Sequence, residues 1–133
     1  MKIFIDGPQC YGKKVNFVDE NNVFLGYDLA QDCCEHADWF IASKPVQVLR
    51  RQPKRIPTMD GWVFDTTYFQ EFNYANQPDG EDWNDLDSGG MAVFRIVNGD
   101  KEKFIHIYNA HNGYYGHGFE FKIGDETKQE GIL

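Results

Sequence analysis

The stretch NAHNGYYGHGF, residues 109–119, carries two histidines, two tyrosines, two asparagines and three glycines, and how the chain turns within it decides the fold. Asn112-Gly113 is the preferred pair for a two-residue type I′ turn, because both central positions need positive φ and these residues adopt it most easily. A hairpin closed there sets His111 opposite Tyr114, Tyr108 opposite His117, His106 opposite Phe119 and Phe104 opposite Phe121. Side chains alternate across a strand, so Phe104, His106, Tyr108, Ala110, Tyr115, His117, Phe119 and Phe121 share one face. Ile105, Ile107, Asn109, His111 and Tyr114 share the other. The expected hairpin makes His106 and His117 diagonal neighbours, and Gly116 and Gly118 leave room on the opposite face for a backbone or a ligand.

Upstream, Asn98-Gly99 marks a second turn between MAVFRIV (91–97) and KFIHIYN (103–109). Two- to four-residue loops all fit there. With GFEFKI (118–123) as the third strand, residues 91–123 read as a three-stranded antiparallel meander. MKIFI (1–5), VQVLR (46–50) and GWVFDTTYFQEFNY (61–74) are further strand candidates. KKVNFVD (13–19) and the strand that follows it, NVFLGYDL (22–29), form a hairpin across polar ENN.

One segment departs from the strand pattern. In DCCEHADWFIAS (32–43), Cys33, Ala37, Phe40 and Ile41 recur at helical spacing, which predicts a short helix over about 33–42. Asp32 is a good N-cap, with Glu35 three residues on in an acidic variant of the capping box. Pro45 ends it. The fold class expected is therefore α+β: a mainly antiparallel, twisted sheet, or a partly closed barrel, with one short helix. Segments such as Met91-Ala92-Val93-Phe94 are apolar on both faces and demand cover on both. Either the sheet folds over on itself or a second subunit, in a homodimer, supplies the cover.

Composition sets the remaining bounds. A chain of 133 residues, 41% hydrophobic, suits one core, so 1–133 reads as a single domain. The segment 76–90, rich in Pro, Gly and Asp, reads as a long surface loop, and 124–133 as a frayed polar tail. No signal-peptide core follows Lys2, and no apolar run approaches the ~18 residues of a spanning helix. Three cysteines, two of them adjacent, argue against a disulfide scaffold and for a reducing cytoplasm. A net charge of −8 excludes general affinity for nucleic acid or anionic membrane. Charge is nonetheless segregated: Lys44, Arg50, Arg51, Lys54 and Arg55 precede an acidic run through Asp79, Glu81, Asp82, Asp85 and Asp87, which reads as solvated surface.

Asp32-Cys33-Cys34-Glu35 after a strand, with Asn112-Gly113-Tyr114-Tyr115 downstream, resembles an uncharacterised family of small bacterial and phage proteins over roughly residues 13–123. The resemblance implies a bacterial or mobile-element setting and carries no catalytic assignment.

Chemistry offers two enzymatic readings. Cys33 and His36 at C-x-x-H spacing, with His106 and His117, have the composition of a zinc site. Cys34 in a first helical turn would have its thiolate favoured by the helix dipole, with His111 or His117 as base. Against these, free cysteine commonly behaves as a small core hydrophobe, and Asp32 and Glu35 disfavour a thiolate. DLDSGG (85–90) lacks the full calcium-loop pattern. The preferred reading has no cofactor: a non-enzymatic binding or interaction protein, accessory to a mobile element, recognising a protein or small polar ligand. Cys34, Trp39, His111, Tyr114 and Tyr115 are its candidate ligand contacts. An acidic mimic of nucleic acid is the remaining alternative.

Overall fold

The computed structural model describes residues 1–6, 13–30, 35–46, 56–73, 88–111 and 116–133. They form ten strands: β1 (Lys2–Asp6), β2 (Lys14–Val18), β3 (Val23–Asp28), β4 (Glu35–Ala42), β5 (Val63–Phe64), β6 (Gln70–Asn73), β7 (Ser88–Asn98), β8 (Lys101–His111), β9 (Gly118–Ile123) and β10 (Glu126–Ile132). All pairings are antiparallel. Sheet A has the order β1-β2-β3-β9-β10, and sheet B the order β4-β8-β7-β5, with β6 also paired to β7. No barrel closes, and among the described residues there is no helix, so none is long and apolar enough to cross a membrane.

The two sheets face each other across one core. Sheet A contributes Val15, Phe17, Val23, Leu25, Tyr27, Phe119 and Phe121; sheet B contributes Ala37, Trp39, Phe64, Ala92, Phe94, Ile96, Ile105 and Ile107. Rings dominate the contact: Phe94 lies 5.0 Å from Phe121 and Phe17 meets Trp39 edge-on at 5.2 Å, geometries that add to plain burial. Sheet B is also covered on its other side. Phe40, Ala42, Met91, Val93, Phe104, Tyr108 and Ala110 are buried there, with Val46, Tyr68 and Phe72 packed on them. The two-faced apolar character of β7 read from sequence is thus real, and its inner cover is supplied by a second sheet, sheet A.

The helix expected over 33–42 is corrected: residues 35–42 are strand β4, antiparallel to β8 from Glu35↔His111 to Ala42↔Phe104. Ala37 and Trp39 point into the inter-sheet core while Phe40 and Ala42 are buried on the opposite face. A strand buried on both sides loses the alternation of polar and apolar residues that marks a half-buried one. What remained in the sequence was an accidental helical spacing.

The meander is corrected as well. Its first half stands: β7 and β8 form a hairpin from Ser88↔His111 to Asn98↔Lys101, with Gly99 at φ 62° in the turn. Its second half does not exist. β8 lies between β4 and β7, whereas β9 pairs with β3 and β10 in the other sheet. The chain therefore changes sheets between 111 and 118, and the positions 112–115 of the anticipated turn lie outside the described residues. Phe119 and Phe121 pack on Phe94, and Phe121 also on Phe64, so β9 carries its rings into the core between the sheets.

Nor is 124–133 a loose tail. Ile123↔Glu126 closes a hairpin with Gly124 at φ 57°, and β10 runs along β9 until Leu133 is buried, its N–H and C=O both bonded to His117. The hairpin of β2 and β3 is as expected, from Lys14↔Asp28 to Val18↔Phe24. Of the surface loop expected over 76–90, residues 88–90 belong to β7; the rest, like most of VQVLR and the basic and acidic clusters except Lys44, lies outside the described residues.

Buried polar bonds fix the sheets relative to one another. The Tyr27 hydroxyl donates to the Tyr108 carbonyl at 2.7 Å, and Asn109 Nδ2 donates to the Leu133 carbonyl at 3.0 Å. Asp19, buried at the β2–β3 turn, accepts from its own turn through Oδ1 (Asn21 and Val23 N–H, both 2.9 Å) and from Phe64 N–H through Oδ2 at 2.8 Å. Each satisfies a group whose burial without a partner would be costly.

Candidate functional site

The residues singled out from sequence separate into three groups. Cys33, Cys34, Tyr114 and Tyr115 lie outside the described residues. His36 and His111 are placed by backbone register at one end of sheet B, His36 opposite Ala110 and His111 opposite both Glu35 and Ser88. Trp39, His106 and His117 are described in full, and all three are buried.

Trp39 is a core ring between the sheets. His106 stands on the outer face of sheet B, stacked on Phe40 at 4.3 Å with the rings nearly parallel. The Val46 N–H donates to its Nε2 at 3.1 Å, so Nε2 carries no proton; Nδ1 therefore holds the hydrogen and donates to the Phe104 carbonyl at 3.1 Å. His117 belongs to the end of sheet A, where its Nδ1 donates to the Asp28 carbonyl at 2.7 Å and its ring tilts against Tyr27. The two imidazoles are on different sheets and bond to different backbone segments. The pairing expected of them required β9 to lie beside β8, and β9 belongs to the other sheet. Among the described residues no three His, Cys, Asp or Glu side chains come together as a metal-binding group. In this fold His106 and His117 serve as backbone clamps, one holding Val46 to sheet B and the other closing the ends of β3 and β9.

A different feature has the character of a recognition element: the edge of sheet A at β1. Among the described residues β1 pairs only with β2, in the register Lys2↔Val18, Ile3↔Phe17, Phe4↔Asn16, Ile5↔Val15 and Asp6↔Lys14. Phe17 and Val15 are fully buried core residues, so Ile3 and Ile5 belong to the inward face of the sheet and Phe4 to its outward face. Ile3 packs against the core. Ile5 does not reach cover and is 51% exposed, while Phe4 on the other face is 44% exposed. Both sides of this strand thus present uncovered apolar surface beside a row of backbone donors and acceptors.

The opposite edge of the same sheet is built otherwise. β10, ETKQEGI, is exposed almost throughout, and its pairing with β9 is interrupted by a bulge between Thr127 and Gln129. Lys128 pairs with Glu126 at 3.3 Å, and Glu130 adds another charge. Charges and a bulge are the usual means of preventing strand addition at an edge. β1 has neither within Ile3–Phe4–Ile5. Sequence reading identified this segment as a strand and missed its position at the edge; the signal is three consecutive apolar residues bracketed by Lys2 and Asp6 in a strand whose partners cover only one side.

One ionic cluster completes the described polar surface. Asp65 accepts from the Thr67 hydroxyl at 2.6 Å and the Thr67 N–H at 3.0 Å, and pairs with Arg95 at 2.7 Å; Arg95 also pairs with Glu102 at 2.7 Å. The Thr67 hydrogen bonds, with Arg95 assisting, hold the Asp65 carboxyl below its ordinary range. Burial pushes the neighbouring Tyr68 phenol up, with Arg95 opposing and Glu102 adding. These groups brace the β5–β6 turn against β7, where Asp65 N–H also donates to the Arg95 carbonyl.

No protein-family model, no curated protein and no solved structure matches the chain.

Proposed function

We propose that this is a non-enzymatic interaction protein that docks an extended polypeptide segment along β1 of sheet A. The observation that carries the reading is the contrast between the two edges of one sheet: β10 is charged, ion-paired and bulged, whereas β1 exposes Phe4 and Ile5 on its two faces with no gatekeeper between them. Strand addition supplies affinity through main-chain hydrogen bonds and specificity through alternate side chains. Phe4 and Ile5 would cover apolar residues of the incoming segment on the outward and inward faces in turn. The setting in a bacterial mobile element rests on the Asp32–Glu35 and Asn112–Tyr115 resemblance alone.

The test is a peptide-display selection against the full chain, with the double variant F4K/I5K as counter-target. The expected enrichment is of extended peptides with alternating apolar residues that lose binding to F4K/I5K by tenfold or more, and whose addition slows hydrogen exchange at β1 amides. Peptides that bind both proteins equally, or a selection that yields none, would refute the reading.

A further inference from the structure

The occupant of the β1 edge is a second copy of this chain, we infer, in an antiparallel pairing of β1 with β1 that is centred on Phe4 and makes sheet A continuous across a two-fold axis. The inference rests on the docking reading above and deepens it by naming the partner. Its basis is the order of residues in the strand. Read in either direction, β1 is cation or anion, isoleucine, phenylalanine, isoleucine, and then the opposite charge. In an antiparallel pair centred on Phe4, Phe4 opposes Phe4 of the second copy and Ile3 opposes Ile5 of the second copy. Lys2 then opposes Asp6 of the second copy, and by symmetry Asp6 opposes its Lys2.

Each of these oppositions is a favourable cross-strand combination: aromatic with aromatic, β-branched with β-branched, and cation with anion. Shifting the register by two residues in either direction leaves only one isoleucine pair and sets Phe4 opposite Asp6 or Lys2, so the aromatic and charge pairings are lost. An isologous contact must be self-complementary in this manner, because one patch meets itself. The register also answers the exposure of Ile5. Ile3 is the inward-facing residue that reaches the core, and the two-fold operation brings Ile3 of the second copy directly beside the uncovered Ile5, extending the inward apolar face across the junction. On the outward face the two Phe4 rings become neighbours. Because β10 closes the other edge with charges and a bulge, addition stops at two copies; β1-to-β10 pairing would instead be head-to-tail and would polymerise.

The experiment is sedimentation velocity of the full chain from micromolar to millimolar concentration, on the wild type, on K2D and on D6K, and on an equimolar mixture of the two variants. K2D sets two like-charge pairs of carboxylates across the junction, and D6K two like-charge pairs of ammonium groups. Each variant alone is expected to dimerise more weakly than the wild type by on the order of tenfold or more. In the mixture the heterodimer pairs every cation with an anion, so association returns to near the wild-type level. A contact elsewhere on the surface would not show that mutual rescue.

Far-UV circular dichroism of each variant checks that it is folded. A reading that needs no variant is hydrogen exchange of wild-type β1 amides, which should slow as concentration rises through the dimer range. A wild type that stays monomeric to millimolar concentration, a dimer whose variants fail to rescue one another, or an open polymer would each overturn the inference. If selected peptides still dock on β1 while the chain itself stays monomeric, the docking reading survives without a self-partner; if neither occurs, both fall.

Discussion

Removing the Asp19 carboxylate should cost the fold about 3–4 kcal/mol, and the figure follows from the partners it holds. Val23 N–H and Phe64 N–H reach it in buried surroundings at 2.9 and 2.8 Å, and Asn21 N–H reaches it at 2.9 Å in a half-buried one. Orphaning a buried donor costs roughly 1–3 kcal/mol, with bonds to charged groups at the upper end, whereas the Asn21 donor can turn to water. In Asp19→Ala two buried donors are stranded, and the β2–β3 turn loses a side-chain tie to β5. With a urea slope of about 2 kcal/mol/M for a chain of this size, the midpoint should fall by about 1.5–2 M. Asp19→Asn separates the effects: one carbonyl oxygen can still serve the turn, but the amide NH2 then faces the Phe64 N–H, donor against donor. It should lose about 2 kcal/mol, and in native-state hydrogen exchange the Phe64 amide should lose more protection than that of Val23. Urea unfolding followed by tryptophan fluorescence measures both variants. A midpoint for Asp19→Ala within about 0.5 M of wild type, or an Asp19→Asn variant as impaired as Asp19→Ala, would refute the clamp.

Three further outcomes are expected. Tyr68→Phe should leave stability unchanged or raise it by up to about 1 kcal/mol in the same unfolding assay, because the buried Tyr68 hydroxyl has no hydrogen-bond partner among the described residues and its removal strands nothing there. Asp65→Asn should cost about 1 kcal/mol at neutral pH, by loss of the charged partner of Thr67 and Arg95; since the Asp65 carboxyl is held below its unfolded value of 3.8, its contribution is complete well above that value and disappears as pH falls through the lower folded one, so the stabilities of wild type and variant should converge as unfolding curves are taken at progressively more acid pH. Long-range nitrogen–proton NMR correlation should show His106 as a neutral ring protonated at Nδ1 at pH 7, and a proton on Nε2 would contradict the bond from Val46 N–H.

The strands were largely legible where a turn announces itself. Residues 14–18 and 23–28 flank a polar turn, and 91–97 and 103–109 flank Asn98-Gly99. Legibility failed where burial is two-sided or absent. β4 carries Ala37 and Trp39 inward and Phe40 and Ala42 outward, so nothing in its polarity repeats at two residues. β10 fails in the opposite way: Glu126, Lys128 and Glu130 are solvent-facing, and only its backbone bonds to β9 make it a strand. For the candidate site, the sequence supplied the histidines and Trp39 as chemistry-bearing residues. It could not say that their polar atoms, like those of Asp19, are spent on distant backbone, because Val46 lies sixty residues from His106 and Asp28 eighty-nine from His117.

The change of sheet between β8 and β9 has the most to say about how this fold is specified. A hairpin there would have aligned Phe119 and Phe121 with His106 on the outer face of sheet B, where Phe40, Met91, Val93 and Phe104 already fill the surface. It would also have left sheet A to end at β3, with Leu25 and Tyr27 lacking a neighbouring strand to carry the core onward. Sending β9 to β3 places Phe119 opposite Tyr27 and Phe121 opposite Leu25, and both phenylalanines then reach Phe94 in the facing sheet. Burying two such rings is worth roughly 2–3 kcal/mol each. The sheet change in turn consumes β3 as a free edge, and β10 blunts the next one with charge. Among the described residues the edge of sheet A left without such charges at its centre is β1, so the placement of β9 beside β3 also determines which strand the protein has to offer.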